Sequence, residues 1–317
     1  MLPFIIHDSL TWLLTLALAL IIDLTMGEYP EKIHPTVWMG KLIDLLKPLI
    51  KNKSRLRAKL NGVFLSLFTI LLFSISTFIT LYLMWRYSKF ISIIIAAILL
   101  KATFAFKSMW KFTIPIANAI KINDFNRAKV LLRHVVRRDT EKLNQQQTIS
   151  AAVETIAEGT VDGATAPLFY YALLGVPGAI AYRAINTLDS MIGYKDIEHI
   201  DLGWFSAKLD TLANFIPARI TSLIMILTSW LLRKDWKNAW RILKRDSRSV
   251  ESLNAGYPMS VMAGALNVRL EKPNFYRLGD ENCLLSFKHI FDALWIMSIS
   301  IYLYIIIFII PIIILIW

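Results

Sequence analysis

The chain has 317 residues, 56% of them hydrophobic and 18% charged, with a mean hydropathy of +0.52, which excludes an ordinary soluble enzyme and suits an integral membrane protein. The 35 Lys and Arg against 23 Asp and Glu give a net charge of +12, which fits anionic lipid headgroups or phosphorylated ligands; with no nucleic-acid motif beside it, nucleic acid is not an expected partner. The single cysteine, Cys283, rules out an intrachain disulfide and a Cys-rich zinc site.

Residues 4–24 form the first expected span, with His7 and Asp8 at the interface; they lack the basic n-region and cleavage site of a removable signal peptide. The next segment, DLTMGEYPEKIHPTVWMGK (23–41), carries Gly27, Pro30, Pro35 and Gly40 and reads as a structured turn before a short helix. Asp23, Glu28, His34 and Lys41 are its polar tips, and His34 is either a turn residue bonding its own backbone or a substrate-binding group. Residues 60–85 are uncharged and exceed the roughly 20 needed to cross a bilayer. Residues 90–106 form a further span with Lys101 near one end, where its ammonium is expected to snorkel to the headgroups. Trp85 and Trp110 flank it as interfacial anchors.

RHVVRRDTEKL (133–143) offers Arg137 and Arg138, whose guanidinium forks suit a phosphate or carboxylate, although a solvated face of charge pairs explains the stretch equally. VETIAEGTVDG (153–163) then sets Glu154, Glu158 and Asp162 four residues apart, along one helical face. Three like charges need a cation. Mg²⁺ held by these carboxylates together with substrate phosphates, and arginines from the preceding segment, are both open.

LFYYALLGVPGAIAYRAI (168–185) is broken by Gly175, Pro177 and Gly178 and reads as a helical hairpin, neither half long enough to cross. NTLDSMIGYK (186–195) supplies Asn186, Asp189, Tyr194 and Lys195, and AKLDTLANFIPAR (207–219) supplies Asp210, Asn214 and Arg219. Residues 220–232 hold only 13 uncharged positions between Arg219 and Arg233, a short buried or re-entrant helix. LNAGYPMSVMAGAL (253–266) is a turn followed by a small-residue helix that allows close packing, and 293–317 is the last clear span.

The expected fold is therefore all-α and polytopic, a single helical membrane domain over 1–317. It has about four clear transmembrane helices, re-entrant or short buried helices, and polar cytoplasmic helices, with no β pattern and no repeat. The segments 24–59, 107–164 and 233–289 hold eight, nine and eleven Lys and Arg, so the positive-inside rule puts them in the cytoplasm and both chain ends outside. The P-loop, HExxH and GxSxG signatures are all missing. Residue types alone reach a membrane protein with a polar, phosphate-handling cytoplasmic site.

HPTVWMGKLI, RDTEKL, ETIAEGTVDGATAPLFYYALLG, NTLDSMIGYK, LDTLANFIPARIT and NAGYPMSVMAGAL, in this order from about Asp23 to Gly264, resemble the adenosylcobinamide-phosphate synthase family of cobalamin biosynthesis, also called CbiB or CobD. The resemblance implies ATP- and Mg²⁺-dependent ligation at the cell membrane. The free carboxyl of adenosylcobyric acid is activated as an acyl phosphate and joined to 1-amino-2-propanol or its O-phosphate. Under it, Asp162, Asp189 and Lys195 are the expected catalytic groups and Glu154, Glu158 and Asp162 the magnesium ligands. Arg137, Arg138, Asn186, Tyr194, Asp210, Arg219 and His34 are expected to bind substrate or phosphate. Membrane lipid and other cobalamin-synthesis enzymes are the further expected partners. The sequence departs from the family pattern at Gly159, Thr211 and Met259, where Asn, Asp and Glu are usual, so indispensable roles are not expected there. The rival classes are a corrinoid transporter, which broken membrane helices also serve, and a non-catalytic membrane scaffold.

Overall fold

In the computed structural model, residues 8–50, 54–136, 138–194, 196 and 199–317 are described, the side chains of 49 and 50 excepted. In chain order the elements are α1 (Ser9–Met26), α2 (Pro35–Ile50), α3 (Arg55–Tyr87), α4 (Lys89–Lys101), α5 (Phe106–Lys121), α6 (Phe125–Leu132), α7 (Gln145–Thr160), α8 (Ala166–Ile192), α9 (Trp204–Leu231), α10 (Trp236–Asp246), α11 (Gly256–Leu266), β1 (Leu270–Lys272), β2 (Tyr276–Leu278), α12 (Phe287–Tyr304) and α13 (Ile310–Ile316). One π-turn, Val161–Thr165, joins α7 to α8, and another, Ile305–Ile309, joins α12 to α13. Among the described residues, six helical stretches are long and apolar enough to cross a membrane, namely Ser9–Met26, Arg55–Tyr87, Lys89–Lys121, Gln145–Ile192, Trp204–Leu231 and Phe287–Ile316. The chain is an all-α, multi-pass membrane protein.

Helix boundaries follow local chemistry. Ser88 caps α4 by accepting the N–H of Ile91, and Asn144 forms a reciprocal capping box with Gln147 at the start of α7. Asp235 caps α10 by accepting the N–H of Asn238. The span expected over 90–106 stops at Lys101; the chain turns at 102–105 before α5. The short helix expected over 220–232 is the second half of α9, because Pro217 removes one N–H without ending the helix. The absence of strands is corrected by the small antiparallel pair β1 and β2, in which Leu270 faces Leu278 and Lys272 faces Tyr276. Three-residue strands are too short to show an alternating pattern in the sequence.

The described chain divides into two units. The first comprises Met1–Ala105, Ala166–Asn214 and Ile307–Trp317. On its helix α3, Phe64, Phe68, Leu71, Ile75 and Ile79 are exposed along one stripe, which is a lipid-facing surface in a membrane protein. Inside, Ile43, Leu65, Leu188 and Ile192 pack together. Trp12 stacks on Trp317 at 4.5 Å, and the Trp317 indole N–H donates to the Ala172 carbonyl at 3.0 Å.

Within this unit α8 folds back on itself at Gly175, whose φ of 71° and ψ of −165° lie in a region glycine enters without penalty. A Cβ placed on Gly178 would lie 2.8 Å from the Tyr170 carbonyl oxygen, and the Tyr170 and Tyr182 rings stack at 5.4 Å. Twelve residues of straight helix would separate those tyrosines by about 18 Å. The Tyr170 hydroxyl donates to the Ala213 carbonyl and the Tyr182 hydroxyl to Asn214 Oδ1, so both arms reach neighbouring residues of α9. The stretch Gln145–Ile192 is therefore not one straight span, although its length and composition would allow one.

The second unit comprises Phe106–Thr165 and Phe215–Ile306. Helices α10 and α11 meet backbone to backbone, since a Cβ on Gly264 would fall 2.6 Å from the Ala239 Cα. This is the close packing that the small residues of α11 permit.

Candidate active site

In the second unit, polar groups converge on Glu154 of α7, which is 2% exposed. Its Oε2 accepts from Arg138 Nη2 and from the Tyr276 hydroxyl, each at 2.7 Å, and its Oε1 accepts from Ser150 Oγ at 2.5 Å. Ser150 Oγ in turn accepts the Glu271 N–H at 2.8 Å, which ties β1 to α7 and so places Tyr276 of β2. Burial, then the adjoining Glu154, pushes the Tyr276 phenol up, so it stays protonated and donates. Burial disfavours the Arg138 charge, but Glu154 outweighs it and the guanidinium is held protonated. Arg138 Nη1 is buried and meets no acceptor among the described residues.

The three sequence carboxylates behave differently. Glu154 carries the arginine partner that its sequence left open. Glu158 is exposed one turn further along α7, and Asp162 is half-buried in the wider π-turn, which shifts its register relative to the α-helical pair. Among the described residues, no group of three His, Cys, Asp or Glu is placed to hold a metal ion. Arg219, also in this unit, lies between the rings of Phe215 at 3.5 Å and Tyr257 at 4.3 Å and donates to the Asn254 side chain at 3.1 Å. Arg137 and Lys195 lie outside the described residues.

The first unit holds the other sequence-predicted residues. Asp210 accepts from Asn186 at 3.4 Å and from Asn214 at 3.1 Å, and Asn186 accepts from Arg183, whose guanidinium also donates to the Thr103 carbonyl. Asn186 and Asp210 thus belong to one network. Asp189 lies a turn further along α8, half-buried, and its carbonyl accepts the Gly193 N–H. Tyr194 is exposed, donates to the Ser190 carbonyl at 2.6 Å and rests edge-on against His199.

His34 sits apart from that network. Its Nδ1 accepts the Thr36 N–H at 3.2 Å, which leaves the proton on Nε2 to donate to Glu28 at 2.8 Å. Glu28 also receives Lys101 Nζ at 3.2 Å, and Lys101 pairs with Asp23 at 3.3 Å. Lys101 is 0% exposed, which corrects its expected place among the headgroups: two carboxylates inside the protein offer it a better partner than snorkelling does. Burial alone would raise the Glu28 carboxyl, but the His34 hydrogen bond and the Lys101 charge pull it down to about 2.

Sequence reading missed Tyr276, Ser150 and Lys101 as members of these clusters. Tyr276 stands 122 residues from Glu154 in a stretch without periodicity, so only the fold brings them together.

The family model of the CobD/Cbib protein matches residues 16–295. The chain is 38% identical over 289 residues to the probable cobalamin biosynthesis protein CobD of Methanothermobacter thermautotrophicus, covering 91% of this chain and 94% of that protein. It is 39% identical over 269 residues to the cobalamin biosynthesis protein CobD of Dehalococcoides mccartyi, covering 85% and 87%. It is also 39% identical over 267 residues to the probable CobD protein of Methanocaldococcus jannaschii, covering 83% and 87%. No solved structure matches. With a match that runs through nearly all of the helices described above, the chain belongs to the CobD/Cbib protein family.

Proposed function

We propose that this protein, through its role in cobalamin biosynthesis, joins the free carboxyl of adenosylcobyric acid to the amine of 1-amino-2-propanol or its O-phosphate at the expense of ATP. The observation that carries the reading is Arg138: one guanidinium nitrogen is fixed on buried Glu154, while Nη1 is buried with no acceptor among the described residues. A guanidinium oriented in that way suits a phosphoryl oxygen, where charge-assisted bonds are strong and geometrically selective. Glu154, Tyr276 and Ser150 act as its positioning groups, because they hold the Arg138 plane before any ligand arrives.

In the ligation the corrinoid carboxylate takes the terminal phosphoryl group of ATP, releasing ADP and leaving an acyl phosphate. The amine nitrogen then attacks the acyl carbon, inorganic phosphate leaves, and the amine gives up a proton to a base. A magnesium ion would neutralise phosphoryl charge. Among the described residues the side chains offer no three-carboxylate cage, so the fitting arrangement is the usual one of one or two carboxylates, here Glu158 and Asp162, completed by phosphate oxygens. Arg219, in the same unit as Arg138, is a further candidate for holding substrate. ATP is a cytoplasmic substrate, and the basic segments 107–164 and 233–289 support a site on that side of the membrane.

The test uses the full chain purified in mild detergent with adenosylcobyric acid, ATP, Mg²⁺ and each amine in turn, following the corrinoid amide by mass spectrometry and ADP enzymatically. Amide and ADP are expected together, and only when both organic substrates are present. No amide with either amine, from protein that remains folded, overturns the reading.

A further inference from the structure

In the second unit, α9, α10 and the start of α11 enclose a cleft of about 480 Å³, away from any role given above to α10. Arg219, Lys244, Arg245 and Arg248 line it beside the rings of Trp240 and Tyr257, and among the described residues no Asp or Glu does. The four cations are not equivalent. Arg245 is compensated, with its guanidinium 2.6 Å from Asp246 and 2.8 Å from Asp280, and those carboxylates hold it protonated more firmly than usual. Arg219 donates to the Phe215 carbonyl and the Asn254 side chain, both neutral. Lys244 rests over the Trp240 ring at 4.7 Å, and neither Lys244 nor Arg248 has a carboxylate partner among the described residues.

Three positive charges without an acidic partner among the described residues therefore share one cleft. Left alone they repel, and an anion offsets them. The rings of Phe215 and Tyr257 bracket the Arg219 guanidinium, so its fork is held in place before a ligand binds. A carboxylate brings one charge and two oxygens; a phosphate monoester brings nearly two charges and three terminal oxygens, which matches three cations better. The cleft volume leaves room for a small organic group beyond the phosphate, against Trp240 and Tyr257.

We propose that this cleft binds a phosphate monoester or phosphodiester group. The assignment rests on the unpaired charges and the bracketed guanidinium, and holds whether or not the ligation reading does. Two sources share this chemistry: a soluble phosphorylated metabolite, and the headgroup of an anionic phospholipid, because α10 also exposes Trp236 and Trp240 among its lysines and arginines.

The experiment titrates the full-length protein with inorganic phosphate and with phosphoethanolamine, by calorimetry, in nanodiscs of phosphatidylcholine alone and in nanodiscs containing phosphatidylglycerol. Saturable binding equal in both lipids identifies a soluble ligand. Binding that phosphatidylglycerol suppresses identifies the lipid headgroup, and either result supports the phosphate site. In the double variant Lys244→Gln/Arg248→Gln, affinity is expected to fall about tenfold or more, as two charge-assisted contacts are lost. The charge-preserving Lys244→Arg/Arg248→Lys variant is expected to stay within about threefold, since the electrostatic share survives. Competition on the unmodified protein covers a variant that fails to fold: sulfate should displace phosphate and acetate should not. Absence of saturable binding in both lipids, equal affinity in the Gln variant, or displacement by acetate as effective as by sulfate overturns the proposal.

Discussion

In the first unit, Lys101 is 0% exposed and lies between Asp23 and Glu28, with His34 closing on Glu28; in the second, Glu154 is 2% exposed and gathers Arg138, Tyr276 and Ser150. The first sets a buried cation between one buried and one half-buried carboxylate, the second a half-buried cation against a buried carboxylate, and their surpluses differ. Around Lys101 the acids outnumber the cation, and both reach Nζ at about ion-pair distance. Around Glu154 the donors outnumber the acceptor, and Arg138 keeps a nitrogen to spare among the described residues. A cluster whose charges are all turned inward holds helices together; one with a donor left over can also receive an anion. The contrast separates, on physical grounds, a cluster whose cation is shared between two acids from one whose cation keeps a donor beyond its acid.

The largest effect that would break this contrast is on Lys101. Lys101→Met removes the buried cation that Asp23 and Glu28 share and is expected to cost about 3–5 kcal/mol, read as a fall in the melting temperature of the detergent-purified protein. A melting temperature close to that of the parent chain would remove the fastening role. Next comes Arg138→Lys, which keeps a charge beside Glu154 but loses the fork: turnover should drop on the order of 100-fold while stability changes by less than about 1 kcal/mol. Equal losses of turnover and stability would place Arg138 in the same class as Lys101. Tyr276→Phe removes one donor to a charged acceptor and should cost about 1.5–3 kcal/mol, measured by the same melts.

A smaller effect follows the pH. The Glu28 carboxyl titrates at about 2 when folded, against an ordinary 4.5, so its stabilising contribution is complete above 4.5 and drains away as the pH falls towards 2. Asp8, held near 2 chiefly by its bond to Lys89, titrates in the same interval, so the informative quantity is the difference between the parent chain and Glu28→Gln. That difference should shrink steadily below pH 4.5; one that grows on acidification would contradict the lowered carboxyl. The smallest change is expected at the surface, where Arg55, 79% exposed, bonds Asp201 at 3.0 Å: Arg55→Ala should stay within about 1 kcal/mol.

The spans were legible because long apolar runs have few alternatives, and α3 and the final apolar stretch emerge as helices where the sequence puts them. The arginine partner of Glu154 was legible as one of two options; choosing between them took the fold, because spacing along α7 says nothing about the loop that carries Arg138. Lys101 was misread for a related reason. From the sequence, a lysine near the end of an apolar run has one evident outlet, the headgroups, while its second acid partner, Glu28, lies 73 residues earlier. Tyr276 was invisible, as it sits in a strand too short to carry a pattern.

The stacking of Trp12 on Trp317, and the bond from Trp317 to Ala172, bear on how the protein is made. The first unit draws its pieces from the earliest helices, from the middle of the chain and from Ile307 onward. The ring that stacks on Trp12 is therefore synthesised about 300 residues after Trp12 itself. Completion of the first unit is thus an event that follows translation of α13.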